Sequence, residues 1–334
     1  MTYAEDAKAS QVRWRTRHMA DLPDRGEWRG KEYDHILPAE HWMRGVWPEI
    51  RDALASYLLS DHVQPHKDRH HLNSSWVLAA NLYFPFRVLP SGSDVLAGAL
   101  SEALSIRVSG IETIDLEFAD PSPHDQQTLL GETGGSRGVG MTSPDIGIRY
   151  RDPQGRRGIV LIEVKYTEDN LQTCTEFKRL SSSERQACND LPALLDDPSR
   201  CPYWQKGRRY IDVLEETLQA GEATKTIRRC PAATGTYQLL RQQALAESLV
   251  ASGAYDTATS VLAFPASNAA LRGQLLFGMP TGASVDDWGS LFGGRARFAT
   301  LEHGRMVDLV KRRMGPRWVQ LWLSYVRDRY FPGE

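Results

Sequence analysis

The chain has 334 residues, of which 41% are hydrophobic and 25% charged, which is typical of a globular protein with a large core. Its formal net charge of −2 excludes a strongly basic surface, so contact with nucleic acid would have to come from local basic patches. No apolar run is long enough to span a membrane, and the N-terminus lacks the apolar core of a signal peptide. We therefore expect a cytoplasmic protein.

Residues 1–73 are expected to form an N-terminal extension packed on a main domain at 74–334. The first part is charged and rich in tryptophan, and it shows only weak periodicity. Its three arginines are compatible either with a contact to phosphate or with a solvated face; they are Arg13, Arg15 and Arg17. Apolar residues at helical spacing then predict an amphipathic helix over residues 48–60.

Four histidines follow that helix, and three of them, His62, His66 and His70, are spaced four apart. On one helix they would form a metal-binding face. Because Pro65 disfavours a regular helix at this point, a polar connection is the favoured interpretation.

The main domain begins with two predicted helices and a strand. Ser74 or Ser75 can cap a helix over residues 74–85, and Asp94 can cap a second helix over residues 95–106. Residues 111–118 alternate as in a strand that contains Glu117. A glycine-rich stretch at 121–141 then predicts a mobile loop, in which Glu132 is a weak candidate for an additional metal ligand.

Residues 143–166 predict a β-hairpin. The segment Asp152-Pro153-Gln154-Gly155 has the residues of a tight turn. The second strand, 158–166, is apolar on both faces, as in a strand that is covered on both sides. Two charged residues, Glu163 and Lys165, interrupt this run and share one face because side chains alternate along a strand. Buried charges are costly unless they are paired or bind a metal, so a functional site is predicted here.

The turn also predicts which residues face each other. If the hairpin is centred on Gln154, Asp145 lies opposite Glu163 at roughly 5 Å. Two carboxylates and Lys165 would then converge, and carboxylate oxygens suit a hard cation such as Mg²⁺. The lysine could orient a water molecule or stabilise charge that develops on a phosphate. The alternative is an ion network that only fixes the register of the hairpin, which is disfavoured because buried ion networks are poor stabilisers.

Downstream, the sequence predicts a cysteine-containing insertion and further core elements. The insertion spans 167–233, and a helix is predicted after it at 236–252. One face of that helix is apolar, and its opposite face carries Gln238, Arg241 and Gln242. Strands are predicted at 257–264 and 296–301, followed by a helical tail, 305–330, that is interrupted at Gly315-Pro316.

The insertion contains every cysteine of the chain, namely Cys174, Cys188, Cys201 and Cys230. A cytoplasmic protein is not expected to use them as disulfides. Two interpretations stay open: a thiolate cage for Zn²⁺ or an iron–sulfur cluster, and ordinary buried cysteines. The spacing matches no standard CxxC pattern.

The motif Pro144-Asp145, followed by Glu163-Val164-Lys165 on the next strand, resembles the PD-(D/E)xK nuclease superfamily, which includes restriction endonucleases and RecB-type exonucleases. Residues 74–85, the strand that ends at Glu117, and residues 236–241 are similar to a bacterial subgroup of nuclease-like proteins. The resemblance implies an α/β, restriction endonuclease-like fold, in which helices flank a mixed central sheet. Helical extensions and the cysteine-containing insertion would be added to this core.

The same resemblance implies roles for individual residues. Asp145 and Glu163 would hold one or two Mg²⁺ or Mn²⁺ ions, with the backbone carbonyl of Val164 as a further ligand. Glu117 matches a position where the superfamily often has another acidic residue, although an exposed strand carboxylate is an equal alternative. Lys165 would orient the attacking water.

On the predicted helix at 236–252, the resemblance places Gln238 and Arg241 beside the scissile phosphate, and Gln242 shares their face. Some RecB-type nucleases carry an iron–sulfur cluster, but their cysteines bracket the nuclease core, whereas all four here follow the Glu163 strand.

The resemblance therefore predicts metal-dependent hydrolysis of DNA phosphodiester bonds, in restriction, phage defence or repair. The competing hypothesis is a non-catalytic nuclease-like module that binds DNA or assembles with a protein partner in a multi-subunit system.

Overall fold

The computed structural model describes residues 2–313 and 315–332. Its strands, in chain order, are β1 (Gly26–Trp28), β2 (Lys31–Tyr33), β3 (Gly110–Leu116), β4 (Ile146–Arg151), β5 (Arg157–Val164), β6 (Thr257–Phe264) and β7 (Arg297–Glu302). Its α-helices are α1 (Tyr3–His18), α2 (Arg51–Ser60), α3 (Ser75–Val88), α4 (Gly92–Leu104), α5 (Gln126–Leu130), α6 (Thr175–Arg179), α7 (Leu191–Asp196), α8 (Pro202–Gln205), α9 (Tyr210–Ala220), α10 (Ala223–Thr226), α11 (Tyr237–Ala251), α12 (Ala269–Leu275), α13 (His303–Lys311) and α14 (Arg317–Tyr330).

A five-stranded mixed sheet, in the order β3-β4-β5-β6-β7, forms the centre of the fold. Strands β3, β4 and β5 are antiparallel, whereas β5, β6 and β7 are parallel. The carboxyl ends of the three parallel strands therefore meet at one edge of the sheet. This α/β arrangement, with helices on both faces, confirms the predicted mixed sheet.

The hairpin of β4 and β5 has the predicted register. Ile146 pairs with Ile162 and Arg151 with Arg157, so the hairpin is centred on Gln154. The turn closes because the Gly155 N–H donates to the Asp152 carbonyl at 2.9 Å. Gly155 has a φ of +75°, a conformation that glycine adopts without strain.

The two faces of β5 enter two different hydrophobic cores. Val160 and Ile162 pack in a core with α3, α4 and the C-terminal helices, which we call the α3 side. Ile159 and Leu161 pack in a core with α11 and the insertion, which we call the α11 side. Glu163 lies two residues beyond Leu161 and therefore belongs to the α11 side.

The N-terminal segment is more ordered than its weak periodicity indicated. Helix α1 begins with a capping box between Thr2 and Glu5 and packs on α14. Arg15 is buried and donates to the carbonyl oxygens of Leu22, Asp34 and Ile36. For Arg15, both the phosphate contact and the solvated face were therefore wrong, because its guanidinium group is buried and bonded inside the protein.

One helix boundary and one loop also differ from the predictions. Helix α4 starts at Gly92, so Asp94 lies in its first turn and does not cap it. The stretch at 121–141 contains α5, and the buried Gln126 donates to the carbonyls of Phe118 and Thr142. These two bonds hold the first half of the predicted mobile loop against the sheet.

Two further predictions concern the histidine-containing segment and the absence of a helix that could span a membrane. The segment with His62, His66 and His70 is irregular, as Pro65 predicted, and within residues 2–313 and 315–332 no histidine group is arranged to hold a metal ion. In the same ranges, no helix combines the length and the apolar composition that crossing a membrane requires.

Gly147 should be required for the packing above β4. A Cβ atom at this position would lie 2.3 Å from the Phe118 ring, whereas a Cβ at Gly273 in α12 would meet nothing within 4 Å. We expect Gly147→Ala to lower the free energy of unfolding by about 1–3 kcal/mol, as in other overpacked cores. The matched Gly273→Ala variant should be neutral or slightly stabilising. Urea unfolding of both variants tests this, and equal stabilities would contradict the packing argument.

Candidate active site

Three acidic residues lie side by side where β3, β4 and β5 meet the same edge of the sheet. The Glu117 N–H donates to the Asp145 carbonyl at 2.9 Å, which continues the ladder between β3 and β4. The register of the hairpin likewise places Asp145 opposite Glu163. The Asp145 carboxylate accepts the Val164 N–H at 2.7 Å. We call these three residues, Glu117, Asp145 and Glu163, the carboxylate row.

One lysine and one glutamine reach the same oxygen of Glu163. Lys165 Nζ lies 2.6 Å from Glu163 Oε1, and Gln238 Nε2 donates to that oxygen at 2.8 Å. Gln238 is placed there by the first turn of α11. Its Oε1 is buried without a hydrogen-bond partner, so an additional group is needed to satisfy it. The structure thus brings together Asp145, Glu163, Lys165, Gln238 and Glu117.

Burial and mutual repulsion raise the pKa values of two residues in the carboxylate row, Glu117 and Asp145. The pKa of Glu117 is raised well above its ordinary value, first by burial and then by the charges of Asp145 and Glu163. The pKa of Asp145 is raised in the same way by burial and by Glu163, although Lys165 and the Val164 N–H oppose the shift. Lys165 alone therefore does not offset the repulsion that would exist among three ionised carboxylates, and the raised pKa values favour the protonated forms of Glu117 and Asp145.

Lys165 remains protonated despite its burial. Burial lowers its pKa, but the charges of Glu163, Glu168 and Asp145 outweigh that effect and raise the pKa overall. Its backbone is fixed on two sides: the Lys165 N–H donates to the Ala263 carbonyl at 2.8 Å, and His303 Nε2 lies 2.8 Å from the Lys165 carbonyl. Burial lowers the pKa of His303 to about 4, so its neutral ring donates to that carbonyl.

Sequence reasoning missed Glu168. Its carboxylate accepts the Tyr166 N–H at 2.7 Å and the Ser75 hydroxyl at 2.6 Å, and its charge acts on both Asp145 and Lys165. The available signal was its position just after the buried strand, at the edge where the other acidic residues were expected. His303 was missed because only the tertiary fold brings it beneath Lys165.

Glu117 has an unusual backbone conformation, with a φ of +49° directly after β3. Arg137 Nε donates to its carbonyl at 2.7 Å, and the loop at Gly138 passes directly over its side chain. Non-glycine residues in this region of backbone space are strained and cluster at functional sites. In this conformation Glu117 lies close enough to Asp145 for the two charges to interact.

Two further polar residues of α11, Gln242 and Arg241, do not lie on an open face of the helix as predicted. Gln242 is 1% exposed, and its Nε2 bonds the carbonyls of Leu161 and Val261 and the hydroxyl of Ser260. It anchors α11 to the sheet and has no surface left to offer to nucleic acid.

Arg241 does not face an open groove either. Its Nε donates to Thr142 at 2.9 Å, and its Nη2 lies 3.2 Å from Glu132 Oε1. The Glu132 carboxylate also accepts the Thr142 hydroxyl at 2.6 Å and the Tyr210 hydroxyl at 2.5 Å. Glu132 therefore belongs to this buried pair and not to the carboxylate row.

The donor set of the row fits a hard divalent cation, although its oxygens are not gathered around one point. In the described ranges, no three histidine, cysteine or acidic side chains form a complete metal-binding group as they stand. The reason at this site is that Lys165, Gln238 and the Val164 N–H already engage the carboxylates. The repulsion among the carboxylates and the unpartnered Gln238 Oε1 are both features that a bound cation would relieve.

A mixed sheet that carries acidic residues and a lysine at one edge is consistent with a restriction endonuclease-like fold. The family model described as REase-ARP, restriction endonuclease associating with ARP, matches residues 7–331. The chain therefore belongs to this restriction endonuclease-like family. Neither the curated proteins nor the solved structures include a significant match.

The raised pKa of Glu117 predicts how stability depends on pH in the absence of divalent cations. Between the ordinary and the raised pKa, the folded state binds more protons than the unfolded state, so the free energy of unfolding falls as pH rises. Glu117→Gln should remove this loss and raise the melting temperature by roughly 2–4 °C at pH 8. The gain should shrink toward pH 4.

The control is Glu112→Gln on the same strand, because Glu112 is exposed and pairs only with the exposed Arg151. Thermal unfolding in EDTA at several pH values would compare the two variants. A pH-independent effect, or the same effect in both variants, would show that Glu117 is not a strained buried carboxyl.

Proposed function

We propose that this chain is a metal-dependent nuclease of the PD-(D/E)xK type that hydrolyses phosphodiester bonds in DNA. The observation that carries the proposal is the carboxylate row beside the protonated Lys165 at the carboxyl end of a central strand, where Glu117, Glu163 and Lys165 are buried and Asp145 is half-buried. Burial and mutual repulsion raise the pKa values of Glu117 and Asp145, and a bound cation would relieve this repulsion. Strongly shifted pKa values of this kind are typical of functional sites. The family description as a restriction endonuclease supports the same activity.

In this proposal Asp145 and Glu163 hold one or two Mg²⁺ or Mn²⁺ ions, and Glu117 and the Val164 carbonyl complete the ligand set. A divalent cation bound there would lower the pKa of a water molecule and neutralise charge on the phosphate. Gln238 would position the phosphate through the amide that now contacts Glu163.

The raised pKa of Lys165 supports a role as a hydrogen-bond donor. A lysine that keeps its proton at neutral pH cannot serve as the general base. It can donate hydrogen bonds, so it would orient the attacking water and stabilise negative charge on the phosphoryl oxygens. The contact of 2.6 Å with Glu163 holds its ammonium group at the carboxylate row.

A second candidate function is an assembly subunit that binds DNA without cutting it. The family description as associating with ARP favours a chain that works beside a protein partner. In either case we propose that the ARP protein is the partner, that DNA is the ligand, and that the complex acts in the cytoplasm in restriction or phage defence. Cleavage by the isolated chain separates the two functions.

Lys165→Met should lower the rate of DNA cleavage by about 10²–10⁴-fold and leave DNA binding nearly unchanged, because it removes the orienting charge but not the metal ligands. The control is Lys225→Met, which changes an exposed lysine paired only with Glu222. Cleavage of linear, circular, single-stranded and double-stranded DNA with Mg²⁺ or Mn²⁺ provides the measurement.

Each result of that assay has a definite meaning. Cutting of circular DNA would identify an endonuclease, and activity restricted to ends would identify an exonuclease. Undiminished cleavage by Lys165→Met would refute the assignment of the site. If the wild type cuts only when its ARP partner is added, the chain is a nuclease that needs the complex. If it binds DNA but never cuts, it is the assembly subunit.

Metal binding can be measured separately from cleavage. Isothermal titration with Mn²⁺ should show binding to the wild type that weakens at least about tenfold in Asp145→Asn, because the variant loses one charged ligand. Asp152→Asn is the matched control, since its carboxylate only closes the hairpin turn through Gln154 and Arg156. Equal affinity of all three proteins would exclude Asp145 as a ligand.

A further inference from the structure

The four cysteines lie far apart in the sequence, but all of them line a single cavity of about 20 Å³. The other residues around it are apolar or aromatic, and they include Tyr203, Tyr210 and Tyr237. A water molecule needs roughly 10–15 Å³ of such volume, so the space admits about one small atom. All four cysteines are free, and three of them, Cys174, Cys188 and Cys230, are buried.

Backbone N–H groups point at the sulfur atoms. The Phe177 N–H donates to Cys174 Sγ at 3.4 Å. Two further N–H groups, those of Tyr203 and Trp204, lie against the Cys201 sulfur, and the Ala232 N–H lies against Cys230. Hydrogen bonds from N–H groups stabilise an anionic sulfur, and they are a recurring feature around metal-bound thiolates.

Three of the four cysteines lie at the starts of helical segments, and this position also favours metal-bound thiolates. Three helical segments in the insertion have a cysteine as the residue before their first turn: Cys174 before α6, Cys201 before α8 and Cys230 before a short 3₁₀ helix, Pro231–Thr234. Serine, threonine, aspartate and asparagine are the residues that favour this position. Three helical segments around this one cavity thus have a cysteine at that position. Ordinary packing of apolar thiols does not account for this.

From these observations we infer that Cys174, Cys188, Cys201 and Cys230 bind one metal ion of the Zn²⁺ class in a tetrahedral tetrathiolate site. Four thiols would release up to four protons to solvent as the ion binds, and no electrons would be transferred. Thiolates are soft ligands that select Zn²⁺ over Mg²⁺, and the cavity suits a single ion better than a cluster.

Within the described residues the sulfur atoms do not yet form a complete metal-binding group. Burial and the neighbouring thiols instead raise the pKa of each of Cys188 and Cys230, as expected for protonated sulfurs that face one another. Binding would therefore draw the thiols inward and tighten the insertion around the ion.

The proposed ion would also fix the start of α11. The segment that leads into this helix is bonded to the beginning of the insertion: the Cys174 N–H donates to Ala232 at 2.8 Å, and the Gln238 N–H donates to Leu171 at 3.1 Å. Tyr237, which lines the cavity, is the neighbour of Gln238. The thiolate site would thus hold in place the residue that contacts Glu163.

The test is elemental analysis of the full chain purified anaerobically without added metal. We expect one zinc per chain and no acid-labile sulfide. Cys174→Ser combined with Cys201→Ser should lose more than about nine-tenths of the metal, because two of four ligands are removed. Cobalt reconstitution should give the absorption of a tetrahedral thiolate site in the wild type and not in the double variant.

Loss of folding must be separated from loss of ligands. Leu218→Ala is the control, because Leu218 is buried in the same core but does not line the cavity. It should lower the melting temperature of the fold and still carry zinc. A metal-free wild type, undiminished zinc in the double variant, or iron with matching sulfide would each overturn the inference. None of these readouts depends on nuclease activity, so the proposed function can fail independently.

Discussion

The close approach of three carboxylates on adjacent strands, two of them buried and Asp145 half-buried, is the constraint on which the rest of this structure depends. Glu117, Asp145 and Glu163 repel one another in a poorly solvated place, and this repulsion appears as raised pKa values for the first two. Lys165 offsets only part of the charge. The surrounding fold must therefore hold the row in place against its own repulsion, which the double hydrophobic cover of β5 and the ladder of β3, β4 and β5 accomplish.

The supports around the row come from distant parts of the chain. His303 and Ala263 fix the backbone of Lys165, while Gln242 ties α11 to the sheet with three hydrogen bonds. Because Gln242 and Gln238 share one helix at a spacing of about one turn, anchoring the first sets the depth at which the second reaches Glu163. Side chains that never touch a substrate thus determine the geometry of those that would.

How much could be predicted from the sequence depends on how far apart in the chain the interacting residues lie. The register of the hairpin depends on a turn within it, so the meeting of Asp145 and Glu163 was accessible from the residues alone. Glu117 was a weaker candidate, because its backbone reverses after β3 in a way that alternation does not reveal. Gln242 was assigned to an exposed face because helical spacing gives the faces of a helix but not the side on which the sheet lies. Most helices of the insertion are short, and they pack against residues of β5, α11, β6 and α12, which periodicity cannot resolve.

The two proposed metal sites are chemically distinct and need not compete. The carboxylate row offers hard oxygen atoms at a sheet edge, whereas the cysteine cavity offers soft sulfur atoms in an apolar enclosure. Helix α11 lies between them, with Tyr237 at the cavity and Gln238 at Glu163. Adjacent residues on a helix point in different directions, so one turn of α11 can face both sites at once. A structural ion on the sulfur side would then restrict the motion of the residue that positions the phosphate, which explains why such an irregular insertion is placed directly before this helix.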